Sequence, residues 1–305
     1  MNDKQHTLKC KYTFQGKGLH TGRTVNMTLE PAPQNYGIKF KRVDLGDDAV
    51  IEALADYVTT TARGTTLEKG EIKISTLEHL MATLCGLGID NVLISIDAQE
   101  VPILDGSAKP YVDAICKDGL VEQDAPRKYL EIKEKIVYRD EKTGSEIIII
   151  PDDRFSADVM IDFNSKVLGN QYARFDSTTD FTNDIAPCRT FVFFHELEPL
   201  FKNNLIKGGD LDNAIVIVER PVPQEELDRL AVVFNTPSLE RAPEGYLNHL
   251  ELRFQNECAR HKLLDLIGDF SLVGMPIKAK VIAYKSGHKI NTEIAKIMRQ
   301  YAVEN

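Results

Sequence analysis

The stretch Arg260-His-Lys-Leu-Leu-Asp-Leu-Ile-Gly-Asp269 sets two metal-ligand side-chain types at helical spacing. At about 100° per residue, His261 and Asp265 lie roughly 40° apart, one turn along one face, with Asp269 a turn further. Two ligands at i and i+4 can reach a single metal ion. The pattern predicts a long helix from about Leu247 to Phe270. Leu252, Ala259, Leu263, Leu266, Ile267 and Phe270 fall opposite His261 as a core face, while Leu250, Phe254 and Cys258 fall on its own side. An isolated His–Asp pair is usually a surface ion pair. Charged groups mixed with apolar ones on one face instead suit a helix lining a cleft between two packed units.

Working back along the chain, Ser75-Thr-Leu-Glu-His-Leu-Met-Ala-Thr-Leu-Cys85 reads as a second helix, closed by Gly86 and Gly88. Ser75 and Glu78 fit a capping box, and Leu77, Leu80, Met81 and Leu84 follow the spacing of a buried face. Opposite them lie His79, Ala82, Thr83 and Gly86, a face small enough, apart from the histidine, for another element to approach closely. His79, His261 and Asp265 then form a three-ligand set with a fourth tetrahedral position left for water, the mark of a catalytic zinc site. Glu78, beside His79, can take a proton from that water. His288, in Tyr284-Lys-Ser-Gly-His-Lys-Ile-Asn291, falls in a glycine turn; protonated, it can donate to a leaving nitrogen, and Asp269 can hold it charged.

The surrounding chain alternates between strand and helix patterns. Tyr12 to Gln15 and Val25 to Leu29 read as a hairpin punctuated by Gly16, Gly18 and Gly22. The GKGLHTG run between them is no dinucleotide loop, because position 21 is Thr and a strand follows rather than a helix. Strands are expected at Ile38 to Arg42 and Asn91 to Asp97, a helix from about Ser107 to Lys117 stopped by Gly119, and a linker from Val121 to Lys128 containing Pro126. Beyond it come strands at Tyr129 to Tyr138, Ser145 to Ile150 and Ser156 to Phe163. A Phe- and Gly-rich region spans Phe191 to Gly209, followed by strands at Ala214 to Val218 and Ile277 to Tyr284 and a last helix from near Asn291. The helix–strand–helix order closing the first half recurs at the end of the second, which predicts two similar α+β halves, 1–124 and 129–305.

With 305 residues, 43% hydrophobic and 27% charged, the chain can build two globular cores. Its apolar runs are far short of the ~20 residues of a membrane helix, and the polar start from Met1 to Lys11 lacks a signal core, so a cytoplasmic protein without a membrane span is expected. A net charge of −9 speaks against nucleic acid as a partner. The five cysteines include no CxxC, so neither a disulfide framework nor a cysteine zinc cluster is expected.

Ile74-Ser-Thr-Leu-Glu-His-Leu80, Asn91-Val92, Pro102-Ile-Leu-Asp-Gly-Ser-Ala108, Arg189-Thr-Phe191, the 260–269 segment and Ala283-Tyr-Lys-Ser-Gly-His-Lys-Ile-Asn291 resemble, in order and from about Thr7 to Met298, the UDP-3-O-acyl-N-acetylglucosamine deacetylases of lipid A synthesis. The resemblance implies one catalytic zinc held by His79, His261 and Asp265, a site that ferrous iron also suits. It implies Glu78 as general base, His288 as general acid oriented by Asp269, and the Thr190 hydroxyl on the tetrahedral oxyanion. Lys262 matches a substrate-binding lysine at the anionic end of the nucleotide; Phe163, Phe191 and Glu196 fall where the family contacts sugar and nucleotide. The implied fold is two α+β domains sandwiching their helices between antiparallel sheets, each with a small insert, the second (about 198–218) forming a passage for the acyl chain. The expected partner is the acylated UDP-N-acetylglucosamine, met by a monomer. The sequence departs from relatives after Asn164, where a His-Pro is common, and at Leu211, where a Phe is common. Some relatives are fused to a hydroxyacyl dehydratase, a domain not expected within residues 1–305.

Two other readings fit less. A zinc peptidase would need HExxH, and His195-Glu196-Leu-Glu-Pro199 has no second histidine. A non-catalytic binder of the acylated nucleotide would be free to lose Glu78, which is present.

Overall fold

A computed structural model describes residues 3–197, 207–247 and 250–304. Two sheets of the same topology carry the fold. In spatial order the first holds Tyr12–Lys17, Thr24–Pro31, Val92–Ile96, Ile38–Arg42 and Val50–Glu52; the second holds Ile136–Asp140, Ser145–Pro151, Ile277–Tyr284, Ser156–Asp162 and Asn170–Phe175. Numbered along the chain within each unit, both read 1-2-5-3-4. Along these paths the pairings are antiparallel except where the fifth strand meets the third, which runs parallel in both units; a short sixth strand in the second sheet, Leu130–Glu131, also runs parallel to Ile277–Tyr284. A helix precedes each fifth strand, Glu78–Gly86 in the first unit and Glu257–Ser271 in the second, and another follows it, Lys109–Asp118 and His288–Glu304. The expected recurrence is therefore a repeat of whole sheets, with the helices packed between them.

Each unit carries an insert. Val58–Thr60, Thr66–Lys69 and Ile72–Ser75 form a three-stranded sheet leading into the first helix. In the second unit Phe191–Phe193 pairs in parallel with Ile215–Ile217, and a small core around the helix Gln224–Val233 includes Leu211, Val216, Val218 and Leu230. Residues 198–206 of the expected insert lie outside the described residues.

Five sequence expectations change. The single strand expected at Tyr129 to Tyr138 is two, Leu130–Glu131 and Ile136–Asp140. The segment expected as a linker is a strand, Leu120–Pro126, paired with Lys4–Leu8; its outward polar residues hid it, and Pro126 is tolerated at the strand's end. The long helix begins at Glu257, ten residues later than its apolar pattern suggested. Leu250 and Leu252 pack on the core from irregular chain, and Leu247 bridges Arg241. The capping box does not form: Ser75 is a strand residue whose hydroxyl donates to the Gln99 carbonyl, and Glu78 starts the helix itself. Between them Thr76 takes φ 57°, an uncommon left-handed value for a β-branched residue, as the chain swings from strand to helix. The last helix begins at His288 itself, so the expected glycine turn reduces to the residues just before it.

The first helix and the long helix Glu257–Ser271 pack directly on each other, and both are buried almost all round, as helices between two sheets are. A Cβ on Gly268 would stand 2.1 Å from the Glu78 carbonyl oxygen, so only glycine lets the two backbones approach this closely. Gly268→Ala is expected to lower unfolding stability by roughly 1–3 kcal/mol or more in urea titrations followed by circular dichroism. Gly287→Ala, with nothing within 4 Å of its added Cβ, should stay within about 0.5 kcal/mol of wild type. Equal midpoints for the two variants would refute the close-approach argument.

Candidate metal centre and active site

The crossing of those helices brings His79, His261 and Asp265 together, all buried, with one potential ligand atom from each lying within 4.8 Å of the others. His79 Nε2 is 3.6 Å and His261 Nε2 3.4 Å from Asp265 Oδ1, and the two imidazoles stand edge to face with centroids 4.9 Å apart. His261 Nδ1 is 3.0 Å from the Cys188 carbonyl. A carbonyl only accepts, so Nδ1 carries the proton and the Nε2 lone pair faces the cluster. Asp265 Oδ1 is buried without a hydrogen-bond partner. Two imidazole nitrogens converging on an orphaned carboxylate oxygen make the three-donor set that a divalent cation requires, and the residues fit one. Burial pushes the His261 pKa down to about 3, keeping the ring in its neutral, ligating form.

Three more expected residues close around this trio. Glu78 is enclosed, with Oε2 accepting the Thr65 amide at 3.0 Å and Oε1 lying 3.7 Å from His288 Nε2. Burial raises the Glu78 pKa, and Asp265 and Asp269 add to the rise against the nearby histidines. His288 Nδ1 donates to Asp269 Oδ2 at 2.9 Å, while its Nε2 lies 3.8 Å from Asp265 Oδ2. Burial works against a charge on His288, but Asp269, Glu78 and Asp265 outweigh it and raise its pKa to about 9. Lys262 Nζ donates to Asp265 Oδ2 at 2.5 Å, from a side chain only 13% exposed. Burial alone would raise the Asp265 pKa; Lys262, His261 and His288 instead hold it well below the ordinary carboxylate range.

The remaining expected residues are placed further out. Phe191 packs its ring 6.3 Å from that of His261, and Phe163 and Phe193 gather around Phe191 into an aromatic wall. Phe163 is 42% exposed, an apolar surface facing solvent beside the site. Thr190 is fixed by its backbone, its amide donating to Gly106 and its carbonyl accepting from Ile215. Glu196 is exposed, and its carboxylate accepts the Phe193 amide rather than joining the buried cluster.

Sequence reasoning passed over Glu257. Wholly buried one turn before His261, it accepts from the backbone, Nε and Nη2 of Arg189 and from the Arg253 amide. Its bonds and the His261–Cys188 bond tie the long helix to the segment 188–191 at two successive turns. The S-G-H and R-H-K-L-L-D patterns held no trace of it, since Arg189 is 68 positions away.

A profile of the UDP-3-O-acyl N-acetylglycosamine deacetylases matches residues 5–232 and 238–300. The chain belongs to this family. It is 50% identical over 297 residues to the bifunctional enzyme LpxC/FabZ of Bacteroides thetaiotaomicron, covering 97% of this chain and 64% of that one. It is likewise 50% identical over 302 residues to the enzyme of the same name from Porphyromonas gingivalis, covering 99% and 65%. The chain thus spans a little under two thirds of these bifunctional relatives. A UDP-3-O-acyl-N-acetylglucosamine deacetylase of Teredinibacter turnerae is 40% identical over 296 residues, covering 95% of this chain and 88% of its own. No described helix is long and apolar enough to cross a membrane.

Elemental analysis of the purified chain is expected to find about one divalent ion per molecule. His79→Ala, His261→Ala and Asp265→Ala should each lose it, while Glu196→Ala keeps it. Retention of stoichiometric metal by the three ligand variants would place the ion elsewhere.

Proposed function

We propose that this chain hydrolyses the N-acetyl group of a UDP-3-O-(3-hydroxyacyl)-N-acetylglucosamine, the committed step of lipid A synthesis, as a cytoplasmic monomer built from domains 1–124 and 129–305. The observation that carries the reading is the convergence of His79, His261 and Asp265 beside two proton carriers of raised pKa, Glu78 and His288. His79, His261 and Asp265 would hold one zinc ion, and ferrous iron suits the same nitrogen and oxygen donors. A divalent ion bound there supplies Lewis acidity, polarising the acetamide carbonyl and making a water acidic enough to lose its proton near neutral pH.

The protein's own groups do the rest. Glu78, its pKa raised by burial, receives the proton of the attacking water, with the Thr65 amide holding its other oxygen in place. As the C–O bond forms, the Thr190 hydroxyl serves the developing oxyanion. His288 keeps its proton through neutral pH and gives it to the sugar nitrogen as the C–N bond breaks, so that acetate and free amine leave. Asp269 holds the His288 ring by Nδ1 and directs Nε2 inward. Lys262 steadies Asp265 and presents positive charge toward the anionic nucleotide. Phe163 and Phe191 give the sugar and nucleotide an apolar wall, Glu196 stands at its rim, and the insert, described from residue 207 to 218, serves the acyl chain.

Acetate release from the acylated UDP-sugar should be abolished by a chelator and restored by about one equivalent of zinc. Glu78→Ala should retain metal and fold but lose on the order of 10²–10⁴ in kcat; wild-type turnover in that variant would sink the base assignment. Because His288 acts in its protonated form, kcat should fall as pH rises past about 9, and His288→Gln should be slow and lack that alkaline limb. An unchanged profile in His288→Gln would contradict the acid role.

A further inference from the structure

Asp269 is wholly buried, and three donors meet it. Oδ2 accepts from His288 Nδ1 and from Asn291 Nδ2, each at 2.9 Å, and Oδ1 accepts the Thr65 hydroxyl at 2.6 Å. Thr65, itself wholly buried, comes from the first unit's insert, 204 positions away in sequence. The same residue's amide donates to Glu78 Oε2 at 3.0 Å. One threonine thus touches both the carboxylate that orients His288 and the carboxylate that faces it.

A carboxylate tied through one oxygen can still turn about its Cβ–Cγ bond; donors on both oxygens fix its plane. Fixing Asp269 fixes the direction in which His288 Nδ1 donates, and with it where Nε2 points. We propose that Thr65 is the positioning residue of the proton-transfer pair: its hydroxyl locks Asp269 and through it the His288 ring, while its amide locks the Glu78 carboxylate. Asn291, three residues after His288 on the same helix, is the companion anchor on Oδ2. The role given to Thr65 rests on the deacetylase reading of Glu78 and His288; the anchoring geometry does not.

The test uses the metal-loaded chain. Thr65→Val removes the hydroxyl while keeping the β-branched shape and the backbone amide; Thr65→Ser returns the donor. Thr65→Val is expected to lower kcat about 10–100-fold, the scale for outer partners of catalytic groups, with KM and bound metal unchanged. The downfield Nδ1 proton resonance of His288, identified by its absence in His288→Gln, should shift or broaden in Thr65→Val, and Thr65→Ser should restore both rate and resonance. Wild-type kcat with an unmoved resonance in Thr65→Val overturns the proposal. So does a failure of Thr65→Ser to recover either. Should the valine variant fail to fold, Asn291→Ala, which removes the other donor, must displace the same resonance, and an unmoved signal there overturns the anchoring. A wild-type chain that releases no acetate would instead remove the functional reading, while the resonance still decides whether Thr65 holds the ring.

Discussion

The contact of Gly268 with the Glu78 carbonyl governs everything chemical in this molecule. It sets how near the two central helices come, and the ligands stand on those helices rather than on loops. Glu78 and His79 occupy the first turn of one; His261, Asp265 and Asp269 occupy successive turns of the other. A shift of a side chain's width between the helices would part His79 from the His261–Asp265 pair and leave no common centre. Rigid, buried elements crossing at a glycine are a way to hold such a group without relying on mobile chain.

Enclosure creates an electrostatic problem that the site's composition answers. Glu78, Asp265 and Asp269 are three buried acids within one cluster, and bare carboxylates are costly to desolvate together. Lys262 and His288 supply the opposing charge, and the directions of shift follow from position: Asp265, bonded to Lys262, is held ionised, while burial raises the pKa of Glu78 against the pull of the nearby histidines. Two carboxylates that share His288 as a neighbour thereby acquire different roles from their surroundings.

What the sequence disclosed, and what it hid, divides by range. His261 and Asp265 were legible because both sit on one helix at a spacing geometry makes meaningful, and the small face of Ala82, Thr83 and Gly86 correctly announced a close neighbour: Gly86 lies against the Phe181 ring. The start of the long helix was misread because Leu247, Leu250 and Phe254 continue its period by accident of composition while the chain there serves other contacts. The capping box misled for a related reason. A local motif was present, yet strand pairing of the Ile72–Ser75 segment and the left-handed Thr76 claimed Ser75 first, releasing Glu78 from a structural duty and leaving its carboxylate to the site. Thr65, Glu257 and the Cys188 carbonyl were illegible outright, since each acts across a long stretch of chain on a group whose partner only the fold selects.

The duplicated topology explains why the chemistry sits where it does. Two units of the same strand order each bury one face of a sheet under helices, and each leaves its central helix with a second side that no element of its own covers. Packing the units face to face covers both, which is why these helices are buried all round instead of amphipathic. At the seam, groups from both halves meet without solvent, and polar side chains there must satisfy one another or a ligand. Asp265 Oδ1 is among the buried atoms left without a hydrogen-bond partner, and it is the one that faces both histidines. Neither half alone supplies more than part of the set, so integrity of the site and docking of the units are one and the same condition.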